Sequence, residues 1–147
     1  MAAGYRAIDS LRVEKGYRVR GADITPDETP YDAGLEFAVK TDKDFLGREA
    51  LAEATPHKRL CCITLEDPRS VALGNEPVRL DGEIAGRVTT GGYGYTVERS
   101  IAYAYLPPDQ SAPGTAVELD IFGSWIGGEV TSEPLFDPGG ERVRGSA

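Results

Sequence analysis

Leu60-Cys61-Cys62-Ile63-Thr64-Leu65 is an unbroken run of strand-forming residues with no Gly or Pro, and its texture recurs down the rest of the chain. Pro77 to Leu80 is a second short run, and Asp81-Gly82 after it is a two-residue hairpin signal with Ile84 to Thr90 as the returning strand. Ser100 to Leu106, Ala116 to Phe122 and Trp125 to Thr131 complete a set of six strands, the last two joined through Gly123-Ser124. Six short strands at this spacing predict a small barrel or sandwich, and closure into a barrel removes exposed edges. Ile63, Val88, Ile101 and Val117 are the expected core, with Trp125 also inside. Tyr93, Tyr95, Tyr103 and Tyr105 alternate as strand residues do and read as barrel wall. Gly91-Gly92-Tyr93-Gly94-Tyr95 has neither a Walker lysine nor the spacing of a dinucleotide fingerprint, so it reads as a turn with positive-φ positions.

Upstream the periodicity changes. Residues 3 to 15 predict a helix, with Tyr5, Ile8 and Leu11 on one apolar face and Gly16 as its stop. Gly21 to Gly34 is rich in Asp, Pro and Gly and reads as loop. Leu35, Phe37 and Val39 alternate with Glu36, Ala38 and Lys40, which predicts a strand over 35 to 40. Asp44 is placed to cap a helix from Phe45 to about Ala54, ended by Thr55-Pro56. The fold class is therefore α+β: a short N-terminal helix-strand-helix segment followed by a small six-stranded antiparallel β-barrel. From Gly140 the chain reads as a frayed tail.

The length of 147 residues matches the usual ~150 per domain, with room for one core and a small satellite. A net charge of −8 argues against nucleic acid or an anionic membrane as partner. No apolar run reaches the ~20 residues that a bilayer span requires, and no signal peptide is expected, because Met1 leads into a mixed amphipathic segment. Cys61 and Cys62 are neighbours that a strand points to opposite faces, so two free buried thiols in a reducing, cytoplasmic setting are expected. His57 is the only histidine, which leaves no metal-ligand spacing and no support for a Ser-His-Asp hydrolase. Arg12, Lys15, Arg18 and Arg20 form a local basic cluster, read either as cations at a helix C-terminus or as an anion site.

Four segments in order carry a resemblance. They are Ala7 to Arg18 (Ala-Ile-Asp-Ser-Leu-Arg-Val-Glu-Lys-Gly-Tyr-Arg), Asp44 to Leu51 (Asp-Phe-Leu-Gly-Arg-Glu-Ala-Leu), Gly86 to Tyr95 with Ser100 to Tyr105, and Glu133-Pro134-Leu135-Phe136-Asp137-Pro138. Together the chain resembles the C-terminal part of the glycine-cleavage T-protein (aminomethyltransferase) family. The Glu14-Lys15-Gly16-Tyr17-Arg18, Gly92-Tyr93-Gly94 and Pro-Leu-Phe-Asp-Pro details are most similar to the folate-domain C-terminus of dimethylglycine and sarcosine dehydrogenases.

The resemblance implies the rear part of a folate-binding domain over 1–56, the family's C-terminal β-barrel domain over 58–138 and a tail over 139–147. It implies tetrahydrofolate as cofactor and a role in one-carbon metabolism. The front half would be supplied by a partner or flavoprotein subunit, and FAD would belong only to that missing or partner domain. The alternative is a non-catalytic barrel subunit that docks on another protein. The family's proposed catalytic carboxylate lies in the front half, so no catalytic residue is assigned. Binding reduced folate requires an apolar slot, a carboxylate for the pterin N–H edge and a basic group for the glutamate tail. Arg12, Glu14 and Tyr17 are the candidates. A structural ion pair for Arg12 and Glu14, and plain packing for Tyr17, are the competing readings. Many relatives carry a basic residue where Ile8 stands and an aromatic where Arg20 stands.

Overall fold

In the computed structural model, which describes residues 4–145, the strands are β1 (Arg59–Leu65), β2 (Pro77–Leu80), β3 (Glu83–Gly94), β4 (Arg99–Leu106), β5 (Ala116–Ile121) and β6 (Ser124–Thr131). They close into an antiparallel barrel in the order β1-β4-β3-β2-β5-β6. Two tight hairpins set the register. Asp81 and Gly82 have φ of 50° and 86°, as a primed turn requires. In the β5–β6 hairpin the corresponding residues are Phe122 and Gly123, with φ of 53° and 83°, one position before the expected Gly123-Ser124.

The barrel has two apolar layers. Cys61, Ile63 and Leu65 of β1 point inward with Val88, Val117 and Leu119. Leu60 and Cys62 point outward, and with Ile101 and Tyr103 of β4 they pack beneath Val13. Burial on both faces explains why β1 reads as a continuous apolar run rather than an alternating one. Ile63, Val88, Ile101 and Val117 are all buried, but Ile101 belongs to the outer layer, not the barrel interior.

That outer layer is covered by α1 (Tyr5–Glu14). Gly16, at φ 72°, stops the helix in a Schellman pattern: Tyr17 N–H donates to Arg12 O at 2.9 Å and Gly16 N–H to Val13 O at 3.2 Å. Only Val13 and Glu14 of α1 are buried. The Tyr5, Ile8 and Leu11 stripe faces solvent, at 77%, 57% and 60% exposure, so the apolar face predicted from periodicity is not the face that meets the barrel.

Several local expectations are corrected. Residues 35–40 are not a strand: Glu36–Ala38 form a 3₁₀ turn with Phe37 exposed, because the closed barrel offers these residues no edge to pair with. Asp44 makes no capping bond among the described residues; α2 is shorter than expected, Arg48–Glu53, and begins after Gly47 at φ 87°. Gly91, Gly92 and Gly94 lie within β3, opposite Ala102, Ile101 and Arg99, and not in a turn. Glycine serves close approach there: a Cβ on Gly91 would sit 2.4 Å from Ala72 O, and one on Gly94 2.8 Å from Ile101 Cδ1. Trp125 lies on the outer wall under the Arg79 guanidinium, 4.0 Å from its ring centroid, instead of in the core. Tyr95 likewise falls beyond the end of β3 and is exposed. Near the C-terminus, where fraying was expected, Glu141–Arg144 form a short helical turn, α3.

Candidate functional site

Tyr17 stands on a ridge between two depressions. On one side is an apolar groove of about 410 Å³ lined by Ile8, Leu11, Phe136 and Val143, with Arg12, Lys15, Asp137 and Arg142 at its rim. On the other is a cleft of about 530 Å³, where Arg18 and Glu133 face Phe37, Leu35, Ile24 and Pro134. Both volumes lie in the range of small-molecule sites.

The three residues singled out from sequence are not brought to one point. Arg12 and Tyr17 share the groove, whereas Glu14 turns away from it. Arg12 Nη1 donates to Asp23 Oδ2 at 2.9 Å, and Nη2 donates to the Thr90 hydroxyl. It therefore ties α1 to the following loop and to β3; the partner is Asp23, not Glu14. Glu14 is 1% exposed. Its Oε1 accepts from the Thr96 amide at 2.6 Å, while Oε2 is buried with no hydrogen-bond partner among the described residues. Tyr17 is half exposed and open to both depressions.

Lys15 closes one end of the groove, donating to Asp137 Oδ2 at 2.9 Å. That bond, with the amides of Glu141 and Arg142, outweighs slight desolvation and holds the Asp137 carboxyl below its ordinary value. In the cleft, Arg18 donates from Nε to Ala33 O at 3.2 Å, from Nη1 to Gly16 O and from Nη2 to Glu133 Oε1. Burial works against the Arg18 cation, but Glu133 more than offsets it and the pKa is raised. Glu133 Oε2 is a second buried carboxylate oxygen without a partner among the described residues. Burial, followed by Cys62 and Glu133, raises the Tyr103 phenol far above its ordinary value and keeps it neutral.

Arg18, Phe37 and Glu133 were not among the candidates. Arg18 belongs to the basic cluster and Glu133 opens the Glu-Pro-Leu-Phe-Asp-Pro segment, but nothing in a linear reading places residue 133 beside residue 18.

Residues 58–137 match the family model described as the glycine cleavage T-protein C-terminal barrel domain, and residues 1–43 match the GCVT N-terminal domain. The chain belongs to the glycine cleavage T-protein family. It is 43% identical over 148 aligned residues to 4-methylaminobutanoate oxidase (formaldehyde-forming) of Paenarthrobacter nicotinovorans, covering 97% of the chain and 18% of that protein. It is 37% identical over 155 aligned residues to human mitochondrial sarcosine dehydrogenase, covering 97% of the chain and 17% of that protein. The glycine cleavage system aminomethyltransferase T of Bartonella henselae superposes with a TM-score of 0.86 at 32% identity, covering 92% of the chain and 40% of that structure. This T-protein-family chain thus spans under a fifth of the first two relatives and two fifths of the third. The resemblance read from its four motifs is borne out, including the likeness to sarcosine dehydrogenase.

Proposed function

We propose that the chain is a tetrahydrofolate-dependent, aminomethyltransferase-type module of a one-carbon transfer or methylamine-oxidising system, and that it works in the cytoplasm. In this reading residues 1–56 are the rear of the folate-binding domain, 58–138 the barrel domain and 139–147 a tail. The front half, and with it any FAD, belongs to the same system's other domain or to a partner subunit. Two curated relatives are an oxidase and a dehydrogenase of methylated amines by name, and each is far longer than this chain, which supports that arrangement.

The observation that carries the reading is the surround of Tyr17, in a chain of this family. An apolar groove, an aromatic on its ridge, basic groups at its rim and carboxylate oxygens without donors are the chemistry that a reduced folate needs. The residues present therefore fit the cofactor. Tyr17 would pack on it, Arg12 or its neighbour Lys15 would meet the glutamate tail, and Glu14, buried and turned from the groove, would support the site indirectly by holding the Thr96 amide. Bound tetrahydrofolate supplies the nucleophilic nitrogen that accepts the one-carbon unit. The protein's share is to hold that nitrogen in place and exclude water.

Calorimetric titration of the purified chain with a reduced folate, alone and with the front-half partner, tests this. Weak binding that tightens with the partner is expected. No binding in either sample would remove the folate reading. One observation favours the alternative, a non-catalytic barrel subunit: Tyr5, Ile8 and Leu11 form an exposed apolar stripe of the kind that a partner surface covers. That reading predicts complex formation with the partner and no effect of folate on it.

A further inference from the structure

We propose that copies of this chain associate head to tail, the Phe122 hairpin of one seating in the apolar groove beside α1 of the next. The inference does not rest on the folate reading. It starts from the two tight hairpins of the barrel. Asp81-Gly82 and Phe122-Gly123 adopt the same left-handed pair, with φ of 50° and 86° against 53° and 83°. The first hairpin carries the Asp that such a turn favours. The second carries a bulky aromatic where positive φ crowds the side chain. Phe122 is also 86% exposed, so folding gains little from it. Asp120 Oδ1 accepts from the Gly123 amide at 2.8 Å and holds the tip in shape. A strained, projecting aromatic on a fixed turn is suited to anchoring an interface, because little freedom is lost when it docks. Trp125, under the Arg79 guanidinium, extends the same wall with the residue types of interface centres.

The groove is the complement. Ile8, Leu11, Phe136 and Val143 line about 410 Å³, which has room for an aromatic ring. Arg12, Lys15 and Arg142 stand at its rim against one carboxylate, Asp137. The hairpin strands have the opposite balance: Glu118, Asp120 and Glu129 lie on the outer face, with Arg79 paired to Glu118. At a net charge of −8 copies repel one another at large, so a lasting contact has to set unlike charges together. The strand order β1-β4-β3-β2-β5-β6 puts β5 and β6 across the barrel from β4 and β3, which carry α1. The hairpin is therefore out of reach of its own groove. The joint is heterologous, and each copy in it keeps one free hairpin or one free groove for the next.

Sedimentation equilibrium of the full chain tests this. Weight-average mass should rise between about 10 μM and 1 mM protein, since one hairpin in one groove is a small interface. Phe122→Asn gives the turn a residue it favours, and Leu11→Glu sets a carboxylate in the groove. Each should weaken association by about tenfold or more. Mixed in equal amounts, the two variants should associate again and stop at pairs, because the first keeps its groove and the second its hairpin. Circular dichroism checks that each variant folds, and Ile8→Glu, on the same groove wall, replaces Leu11→Glu should that variant unfold. An unaltered chain that is monomeric at every concentration, loss of association with only one of the two variants, or a mixture that stays monomeric would each overturn the proposal.

Discussion

Arg12 Nη1 lies 2.9 Å from Asp23 Oδ2, and Asp23 is only 2% exposed. The same carboxylate accepts from the Val19 amide at 2.9 Å and, through Oδ1, from the Thr89 hydroxyl at 2.6 Å. One side chain therefore joins the helix, the loop after it and the barrel wall. Removing one member of such a buried network strands the others, at a typical cost of about 3–5 kcal/mol. Asp23→Ala should lower unfolding free energy by about that amount in urea titrations, and Asp23→Asn by less, since it keeps an acceptor. A loss of only a few tenths for Asp23→Ala would show that the network is not coupled to global stability.

Ile101 is fully buried between β4 and α1. Ile101→Ala should cost roughly 2–5 kcal/mol. Because Ile101 belongs to the outer layer, amide exchange should quicken first in α1 and less in the barrel interior around Ile63. Uniform acceleration across all strands would mean that the two layers unfold as one.

Burial raises the Cys61 and Cys62 thiols from 9.0 to about 11. Both are free and buried. At neutral pH they should resist alkylation in the native protein and both react after unfolding, as mass spectrometry would show. The unfolded chain loses these protons first as pH rises, so their contribution is fully present below pH 9 and is lost through about pH 11. Stability that rises across that interval would contradict the assignment.

The acid limb has the opposite sign. Burial disfavours the Asp32 carboxylate, but the Thr29 hydroxyl at 2.6 Å and amide at 2.9 Å, with the Lys58 amide, outweigh it and lower the pKa. For Glu28 burial is likewise overcome, chiefly by Lys58 Nζ at 2.7 Å and Thr25. Their stabilisation is present above the unfolded values of 3.8 and 4.5 and is lost as pH falls through the lower folded values. Thr29→Val should move the acid midpoint of unfolding, followed by circular dichroism, to higher pH. An unchanged midpoint would remove Asp32 from the account.

Folate binding by the chain alone should be weak, in the high micromolar range or worse as an order of magnitude, because an open groove buries little of a ligand and water competes for its hydrogen bonds. No aminomethyl transfer is expected from the chain by itself. With a front-half partner present binding should tighten, and Glu14→Gln, which keeps an acceptor for the Thr96 amide, should then weaken it. Submicromolar binding by the chain alone, indifferent to Glu14→Gln, would refute both the incomplete-pocket argument and the choice of residue.

By itself the sequence determined the barrel. Strand composition, the Asp81-Gly82 turn and the Gly16 helix stop are local properties, set by backbone sterics and by side-chain periodicity, and they survive into the structure at nearly the positions read. The family was legible too, because its motifs are runs of adjacent residues. Tertiary structure decided everything that depends on what stands opposite. Periodicity identified an apolar face on α1 but could not say that Val13 and Glu14, not Ile8 and Leu11, would meet the barrel. Alternation at 35–40 marked a strand, yet a strand exists only with an edge to pair to, and barrel closure left none. The glycines of β3 looked like a turn, because sequence does not show Ala72 O and Ile101 pressing on them from elsewhere in the chain. Most of all, Arg18 and Glu133 meet only when the chain that follows β6 returns to the end of the first helix. Hydrogen bonding acts over about 3 Å of space, whatever the separation along the chain.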